Sequence, residues 1–390
     1  MDPVERWAKE RFQYRNDVSA RFFPREAGRL AAACREMAER FLDGGRLIAI
    51  GRGPYATDAQ HVSVEFVHPV IVGKRALPAL DLSMAFPEWL NSVLRPEDMV
   101  MGFGAPGGDP AVAEALARAR AGGAQTFALP GTEGSYAVDA PDSDPFVHQE
   151  LIEILYHTLW ETVHVFFEHR ELGSGAGEAE FLYPFLGSRR QDTSNVVAEV
   201  AESIEAKARE VERLRMQVAA EEMSNVVRAV HTLADCLAKG GKLIVFGNGG
   251  SATDANDWAL DMVLPPAGMR PHPAVSLSME PAVLSALAND VGAEVMFVRQ
   301  LIAHANRQDV AVGISTSGGS KNILSALEEA KKRGLVTMAL LGYDGGEVMR
   351  RGLADIAVIV RSDYIPRIQE VQASVYHIIR EGLEVVGNDA

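Results

Sequence analysis

The chain is poor in cysteine. Among its 390 residues only Cys34 and Cys236 occur, and they form no CxxC pattern. Two thiols so placed exclude both a disulfide framework and a cysteine-based metal site. We expect two buried free thiols, because an unpaired cysteine usually behaves as a small apolar side chain.

The chain also lacks an excess of basic residues and any long apolar run. Its formal net charge is −15, which argues against a nucleic-acid binder, because phosphate backbones are bound by basic surfaces. Without a run of eighteen apolar residues, no helix is expected to span a membrane. The N-terminal sequence MDPVERWAKERFQYR is charged and has no apolar core, so we expect no signal peptide and a cytoplasmic protein.

What the chain does contain is an internal repeat. Residues 44–66 read GGRLIAIGRGPYATDAQHVSVEF, and residues 240–262 read GGKLIVFGNGGSATDANDWALDM. Three more blocks follow in the same order in both halves: 77–84 with 272–279, 102–131 with 313–342, and 148–157 with 368–377. The length accommodates two domains of ordinary size, so the repeat predicts a duplicated fold.

The boundary between the two repeats is predicted from composition. Residues 171–180, ELGSGAGEAE, are rich in Gly and Glu and have no periodicity, which is typical of a linker. We therefore define a first lobe of residues 1–172 and a second lobe of residues 181–390.

Each lobe alternates short β-rich runs with helical sequence. LIAI in the first lobe and LIVF in the second are each followed by a glycine turn and then by a helical pattern. Alternating strands and helices predict a parallel sheet with helices on both faces. The predicted fold class is α/β, with two tandem three-layer α/β/α sandwiches that bind ligands at the carboxyl ends of their strands.

A long helical segment is predicted over residues 192–238. Its narrow apolar stripe consists of Val197, Val200, Ile204, Val211, Leu214 and Val218. These residues recur at helical spacing on an otherwise charged segment. The pattern fits two packing modes, one against the segment's own lobe and one in a bundle with a second chain.

Two turns of the second lobe are rich in glycine and hydroxyl groups. They are Gly247–Ser251, with the sequence GNGGS, and Ser315–Ser320, with the sequence STSGGS. Glycines let backbone N–H groups approach an anion closely, and the N-terminus of the following helix adds a favourable field. Ordinary helix caps are the alternative, but STSGGS holds more hydroxyls than one cap needs. The pair of turns predicts a phosphate site.

The corresponding turns of the first lobe have lost these features. Pro54 removes a donor N–H, and Tyr55 stands where the second lobe has Ser251. Asp109 puts a negative charge at the position of Ser320. We therefore expect no phosphate in the turns of the first lobe.

The first lobe instead carries candidate metal ligands. His61 and Glu65 are four residues apart on a predicted helix and share one face. Gln149 and His157 lie about two turns apart on another predicted helix. Imidazole and carboxylate groups suit zinc or a similar ion, although an HxxxE spacing alone is also typical of a solvated helix face.

The matching residues of the second lobe differ in part. Asp257 and Asp261 replace the His and the Glu, whereas Gln369 and His377 are kept. The shorter reach of aspartate disfavours the same metal site in this lobe. Gln369 and His377 remain available to a site that both lobes share.

These motifs resemble those of sugar isomerase (SIS) domains. The segments that carry the resemblance are GNGGSATDANDWALDMV, STSGGSKNILSALEEAKKRGLVTMALLGYDGG and RIQEVQASVYH. Among SIS domains they are most similar to the family of D-sedoheptulose 7-phosphate isomerase, also called phosphoheptose isomerase. The likeness covers nearly all of the second lobe and extends more weakly to the first, through DAQHVSVEF and the pair Gln149 and His157.

The resemblance implies roles for the matching residues. It implies catalysis by Glu65 and by either His157 or His377. It implies a zinc quartet that is complete only in the first lobe, as His61, Glu65, Gln149 and His157. It implies substrate contacts from Asn248, Gly249, Ser251, Asn289, Asp290, Ser315, Thr316, Ser317, Ser320 and Gln369.

Two departures from the family pattern bear on the substrate. Pro69 and Pro265 stand where the family often has an arginine, and Pro366 stands where it often has an aspartate. These replacements leave the identity of the sugar open.

The implied activity is aldose–ketose isomerisation of a sugar phosphate through an enediol. The reaction most similar to it interconverts sedoheptulose 7-phosphate and glycero-manno-heptose 7-phosphate. In this hypothesis the second lobe holds the phosphate and the first lobe transfers the proton, in one composite site between the lobes. The resemblance also implies a homodimer with four SIS domains. Two alternatives stay open: a non-catalytic sugar-phosphate sensor or adaptor, and an isomerase of another sugar phosphate.

Overall fold

A computed structural model describes residues 2–69, 74–171 and 193–388. The chain forms two compact units, one of Val18–Glu210 and one of Met1–Asp17 together with Val211–Ala390. The predicted lobe boundaries at 172 and 181 lie outside the described residues, as do residues 172–180 of the predicted linker, and all of these stay predictions. Glu171, the first residue of the predicted linker, is the last residue of a helix. Within the described part of the chain, no helix is both long and apolar enough to cross a bilayer.

The first lobe forms one five-stranded parallel sheet. Its elements are α1 (Pro3–Leu42), β1 (Leu47–Ile50), α2 (Ala56–Val67), β2 (Ala79–Asp81), α3 (Phe86–Val93), β3 (Met99–Phe103), α4 (Pro110–Ala121), β4 (Gln125–Leu129), β5 (Tyr136–Ala137) and α5 (Pro145–Glu171). The strand order is β2-β1-β3-β4-β5, and every pairing is parallel.

The second lobe forms a sheet of the same kind. Its elements are α6 (Thr193–Glu221), α7 (Met223–Ala238), β6 (Leu243–Phe246), α8 (Gly250–Val263), β7 (Ala274–Ser276), α9 (Pro281–Asp290), α10 (Met296–His304), β8 (Val310–Ser315), α11 (Lys321–Lys332), β9 (Val336–Gly342), α12 (Gly346–Arg350), β10 (Ile356–Val360) and α13 (Ile365–Asn388). The order β7-β6-β8-β9-β10 is again wholly parallel.

The two sheets confirm the predicted duplication. The strand order is the same in both, and equivalent residues pair in the same register, Leu47 with Met99 and Leu243 with Val310. Helices flank each sheet, so the predicted α/β class is confirmed as well. The edge strands β5 and β10 had not been predicted.

Apolar strands form the centre of each lobe. Every residue of β1, β3 and β4 is buried in the first lobe, as is every residue of β6 and β8 in the second. A parallel strand covered on both faces is expected to be apolar throughout, and these short β-rich runs meet that requirement. Because the central strands are fixed in this way, the turns at their carboxyl ends are held at one edge of each sheet.

The predicted helical segment over residues 192–238 is observed as α6 and α7, which meet at Glu222. Five of the six residues of its apolar stripe are buried within a single chain, and Val197 is half-buried. This burial favours packing inside the chain over a bundle with a second chain.

Both cysteines are free and buried, as predicted. Burial raises the pKa of the Cys236 thiol to about 11 and raises that of Cys34 as well. Both groups are therefore protonated at neutral pH, and neither has the thiolate character of a reactive cysteine.

Candidate functional site

The two glycine-rich turns of the second lobe lie side by side. They follow β6 and β8, which are neighbours in the sheet. Asn248 Nδ2 donates to Asn322 Oδ1 over 3.0 Å, and Asn322 Nδ2 donates to Asn248 Oδ1 over 2.8 Å. This reciprocal amide pair joins the two turns. Asn322 had not been recognised from the sequence, where no local pattern marks it.

Backbone conformation explains the glycines of these turns. Gly249, which precedes α8, has φ +57°, and Gly318 has φ +59°. A Cβ at Gly318 would lie 2.2 Å from the carbonyl oxygen of Gly345, so no other residue fits there.

Hydroxyl groups line the second turn. Ser315 Oγ accepts from the N–H of Gly318 over 3.1 Å, and Ser317 Oγ accepts from the N–H of Gly319 over 3.3 Å. Ser320 precedes α11 but makes no capping hydrogen bond. Thr316 is half-buried in the same turn, and Ser251 is buried in the first turn of α8. The hydroxyls and the start of α11 are thus arranged as an anion site requires.

A serine supports the first turn in each lobe. Ser278 Oγ accepts from the N–H of Gly247 over 3.1 Å and donates to its carbonyl oxygen over 2.9 Å. In the first lobe, Ser83 Oγ accepts from the N–H of Gly51 over 3.0 Å. The repeat predicts that these serines are equivalent, but no pattern in the sequence indicates that they hydrogen-bond the glycine of the first turn.

In the first lobe a carboxylate lies at the start of the helix that follows the second turn. Asp109 Oδ1 accepts from the N–H groups of Ala111 and Val112, at 2.8 and 3.1 Å, at the start of α4. Arg52 lies 3.5 Å from the other carboxylate oxygen of Asp109. The ion pair of Arg52 and Asp109 therefore occupies the positions that Asn248 and Ser320 have in the second lobe. This geometry gives the physical reason for expecting no phosphate here.

Three of the four predicted zinc ligands converge in the first lobe. His61 and Glu65 lie on α2 and His157 lies on α5. His61 Nε2 is 3.2 Å from His157 Nε2 and 3.9 Å from Glu65 Oε1. All three side chains are buried, and their candidate ligand atoms lie within 4.8 Å of one another.

The fourth predicted ligand, Gln149, hydrogen-bonds other residues of α2. Gln149 Nε2 donates to Asp58 Oδ2 over 3.0 Å and lies 3.5 Å from Thr57 Oγ1. Both partners lie about one helical turn before His61 on α2. Gln149 is thus held one turn away, and its place in the quartet stays a prediction.

The convergent group fits zinc by its chemistry. Two imidazoles and a carboxylate are common zinc ligands, and nitrogens that share a tetrahedral zinc at about 2.0–2.1 Å lie about 3.3 Å apart. The observed 3.2 Å between His61 Nε2 and His157 Nε2 matches that separation. His61, Glu65 and His157 are the residues that would hold the ion.

The equivalent position of the second lobe holds a different group. His377 Nε2 lies 3.4 Å from Asp257 Oδ2 and 3.2 Å from Asp261 Oδ2. Burial, together with the neighbouring carboxylate of Asp257, raises the pKa of Asp261 to about 7. Gln369 is also buried, and its Oε1 accepts no hydrogen bond from the described residues.

The remaining predicted contacts are Asn289 and Asp290. They end α9, a helix without a buried residue, and both are exposed. Asn289 Nδ2 donates to Asp290 Oδ1 over 2.9 Å. Their predicted contact with a substrate stays a prediction.

Comparisons with known proteins agree with these motifs. A family model described as the SIS domain matches residues 208–342. A phosphoheptose isomerase of Helicobacter pylori (strain P12) is 44% identical over 161 residues, which cover 40% of this chain and 81% of that protein. A phosphoheptose isomerase of Pelobacter propionicus is 46% identical over 153 residues, which cover 39% of this chain and 80% of that protein.

A solved structure is similar over nearly the whole chain. The C-terminal domain of glucosamine-fructose-6-phosphate aminotransferase from Francisella tularensis aligns with a TM-score of 0.56 at 10% identity. The alignment covers 95% of each chain, and at this identity it bears on the fold alone. Identity above 40% over four-fifths of the two curated relatives shows more: the chain belongs to the phosphoheptose isomerase family of SIS-domain proteins.

Proposed function

We propose that this protein is an aldose–ketose isomerase of a sugar phosphate, and that its substrate is sedoheptulose 7-phosphate. One observation carries the proposal. Glu65 lies in a buried cluster with two imidazoles, in a chain whose relatives at 44% identity are named phosphoheptose isomerases. A carboxylate and imidazoles so placed suit the proton transfers that such an isomerisation needs.

The phosphate is assigned to the two turns of the second lobe. The support is the set of hydroxyls in Ser315–Ser320, the uncapped start of α11 and the amide pair that joins the turns. A phosphate dianion at the start of a helix accepts from backbone N–H groups and gains from the helix dipole.

Proton transfer between carbons is assigned to Glu65. Its carboxylate removes a proton from C1 of the ketose while the C2 oxygen gains one, which gives the enediol. Glu65 then returns its proton to C2 while the C1 hydroxyl loses one, which gives the aldose. Each positioned acid–base step contributes about 10²–10⁴-fold to the rate.

Zinc, when held by His61, Glu65 and His157, would supply a Lewis acid that polarises the substrate carbonyl. A carboxylate has two oxygens, so one can face the cation while the other takes the proton. The protein's own task is to keep these three side chains together in a buried setting, where charge interactions are stronger than in water.

The protons on oxygen need a second group, for which the sequence left His157 and His377 as alternatives. His157 Nε2 lies in the same cluster as Glu65, but it would bind the zinc ion and could not also carry a proton, so the choice between the two histidines stays a prediction. His377 Nε2 instead faces the carboxylates of Asp257 and Asp261. The composite site between the lobes and the homodimer stay predictions.

A non-catalytic sensor or adaptor is the second candidate function. This candidate is favoured by the first lobe, in which the two turns that correspond to the phosphate turns carry an ion pair of Arg52 and Asp109. A sensor would need the phosphate turns of the second lobe but not the buried cluster of Glu65.

An assay of sedoheptulose 7-phosphate, with and without a chelator, tests the proposal. We expect conversion to glycero-manno-heptose 7-phosphate that falls when the chelator removes the metal and returns when zinc is added. Binding without conversion would favour the sensor. Conversion of a hexose or pentose phosphate in place of the heptose would keep the isomerase and refute the substrate.

Replacing Asn322 with alanine should weaken the phosphate site without removing the chemistry. The change deletes both hydrogen bonds that join the two turns, and each such bond contributes about 1 kcal/mol. We expect KM for the sugar phosphate to rise by about tenfold or more, with a much smaller change in kcat. Steady-state kinetics measure both values, and calorimetry of inorganic phosphate measures the site directly.

Asn91 provides the matched control for this substitution. It is an exposed asparagine on α3 of the first lobe. Asn91→Ala should leave KM, kcat and phosphate affinity unchanged. If Asn322→Ala left KM unchanged as well, the amide pair would have no role in positioning the turns.

A further inference from the structure

The first lobe lacks a segment that the second lobe has between its last two strands. The repeat continues as GTEG in the first lobe and GYDG in the second, so Glu133 corresponds to Asp344. Tyr136 and Ile356, the first residues of β5 and β10, pair with β4 and β9 in the same register. Asp344 lies 12 positions before Ile356, whereas Glu133 lies only 3 positions before Tyr136. The missing positions include all of α12.

In the second lobe α12 covers the turn after β8 and one face of α11. The N–H of Val348 donates to the carbonyl oxygen of Gly318 over 3.0 Å. Val348 is fully buried, in the same apolar cluster as Ile323 and Leu327 of α11. The carbonyl oxygen of Gly345, just before α12, lies only 2.2 Å from where a Cβ of Gly318 would be. The chain itself therefore closes this part of the second lobe.

The corresponding part of the first lobe is an open groove. A Cβ at Gly107, the counterpart of the covered glycine, would meet nothing within 4 Å. Gly107, Val112, Ala113 and Leu116 line a cavity of about 430 Å³, here called the α4 groove. Ala113 is exposed, whereas its counterpart Leu324 on α11 is buried. A cavity of this size with an apolar wall is typical of a binding site.

Two carboxylates lie beside the apolar wall of the α4 groove. In the second lobe Asp344 Oδ2 lies 3.5 Å from Nη1 of Arg350 on α12. Its counterpart Glu133 lines the α4 groove and makes no ion pair within the described part of the chain. Asp139, which also lines the groove, stands where the second lobe has the apolar Ile359. The groove therefore favours an occupant that combines an apolar with a basic side chain.

A basic residue lies at the other end of the α4 groove. In the second lobe Lys331 Nζ pairs with Asp355 Oδ1 at 2.8 Å and donates to the carbonyl oxygen of Gly352 over 3.1 Å, just after α12. Its counterpart Arg120 lines the groove and has neither contact. Pro110 lines the opposite end, so the groove follows α4 for about 15 Å at 1.5 Å per residue. This length suits a peptide segment.

We propose that the α4 groove binds a short helical segment of a partner protein, in which an aliphatic side chain lies beside a basic one. The second lobe provides the template, because α12 places Val348 in the apolar cluster and Arg350 beside a carboxylate. A helix laid into a groove is a recurring mode of peptide recognition. The carboxylates of the groove repel a sugar phosphate. The proposal goes beyond the isomerase activity and does not depend on it.

The full-length protein and a peptide with the sequence of residues 345–355, GGEVMRRGLAD, test the proposal. Ala117→Cys places a thiol on the exposed side of the α4 groove, and the native Cys34 and Cys236 are both buried. We expect the peptide, at ten times its Kd, to slow alkylation of the introduced thiol by iodoacetamide about tenfold. Ala121→Cys is the matched control, exposed on the same helix but outside the groove, and its alkylation should not slow.

Changed peptides identify the contacts. Val348→Asp in the peptide removes the aliphatic side chain and should abolish the protection. Arg350→Glu in the peptide should weaken binding by up to about fivefold, the most that an exposed ion pair contributes, and Glu133→Lys in the protein should restore it.

Three results would overturn the proposal. One is no protection of the introduced thiol at millimolar peptide. Another is equal protection in Ala121→Cys or by the Val348→Asp peptide, which would show that the peptide does not bind specifically in the groove. The third is slower alkylation of Ala117→Cys at higher protein concentration without peptide, which would make a second copy of this chain the occupant.

Discussion

Replacing Glu65 with glutamine should abolish turnover of the sugar phosphate and leave its binding intact. The glutamine amide has nearly the size of the carboxylate but does not take up a proton, so the step between C1 and C2 loses its base. We expect kcat to fall by about 10²–10⁴-fold, the usual contribution of such a group. Binding should persist, because the phosphate is assigned to turns of the second lobe. Steady-state kinetics and calorimetry of the sugar phosphate measure the two effects.

Two controls separate this loss from indirect causes. Glu114→Gln makes the same chemical change on α4, where the carboxylate is largely exposed, and should leave kcat unchanged. Zinc content should also be measured, because Glu65 is a candidate ligand as well as the proposed base. Turnover retained in Glu65→Gln would remove Glu65 from the mechanism. Lost turnover with lost zinc would leave the base unassigned.

The fold could be predicted because its signals are local and occur twice. LIAI and LIVF are short β-rich runs before glycine turns, and both became central strands, β1 and β6. His61 and Glu65 were predicted to share a helix face, and both lie on α2 with their side chains buried. The edge strand β10 was missed although its sequence, IAVIV, is rich in β-branched residues.

The parts of the site that the sequence did not reveal depend on contacts between distant residues. Asn248 and Asn322 are 74 positions apart, and neither lies in a pattern that indicates the other. Asp109 was recognised as a negative charge at the position of Ser320, but not as a cap that bonds two N–H groups of α4. The direction of a side chain is set by packing, which spacing alone does not give. For the same reason the hydrogen bond from Gln149 to Asp58 was not predicted, although Gln149 lies on the predicted helix.

The contrast between Asp109 and Ser320 leads to the second large effect. Replacing Ser320 with aspartate should give the second lobe the feature that the first lobe already has, a carboxylate at the start of the helix after the turn. At about 4 Å, repulsion between two like charges near a protein surface costs about 4 kcal/mol, which corresponds to about 10³-fold in affinity. We expect sugar-phosphate binding, measured by calorimetry, to fall by about that factor, and kcat/KM to fall with it.

The same substitution should not unfold the protein. Aspartate is a favoured N-cap residue and Ser320 makes no capping hydrogen bond, so α11 should be stabilised by up to about 1 kcal/mol. Urea unfolding should therefore show equal or greater stability in Ser320→Asp, which separates lost binding from lost structure. Asp109→Ser is the reciprocal control: serine is also a favoured N-cap residue, so only the charge at the start of α4 is lost, and we expect stability to fall by no more than about 1 kcal/mol and kcat/KM to stay unchanged. If Ser320→Asp kept full affinity for the sugar phosphate, the phosphate would have to bind away from the STSGGS turn. If Asp109→Ser lost activity, the first lobe would have to hold part of the phosphate site.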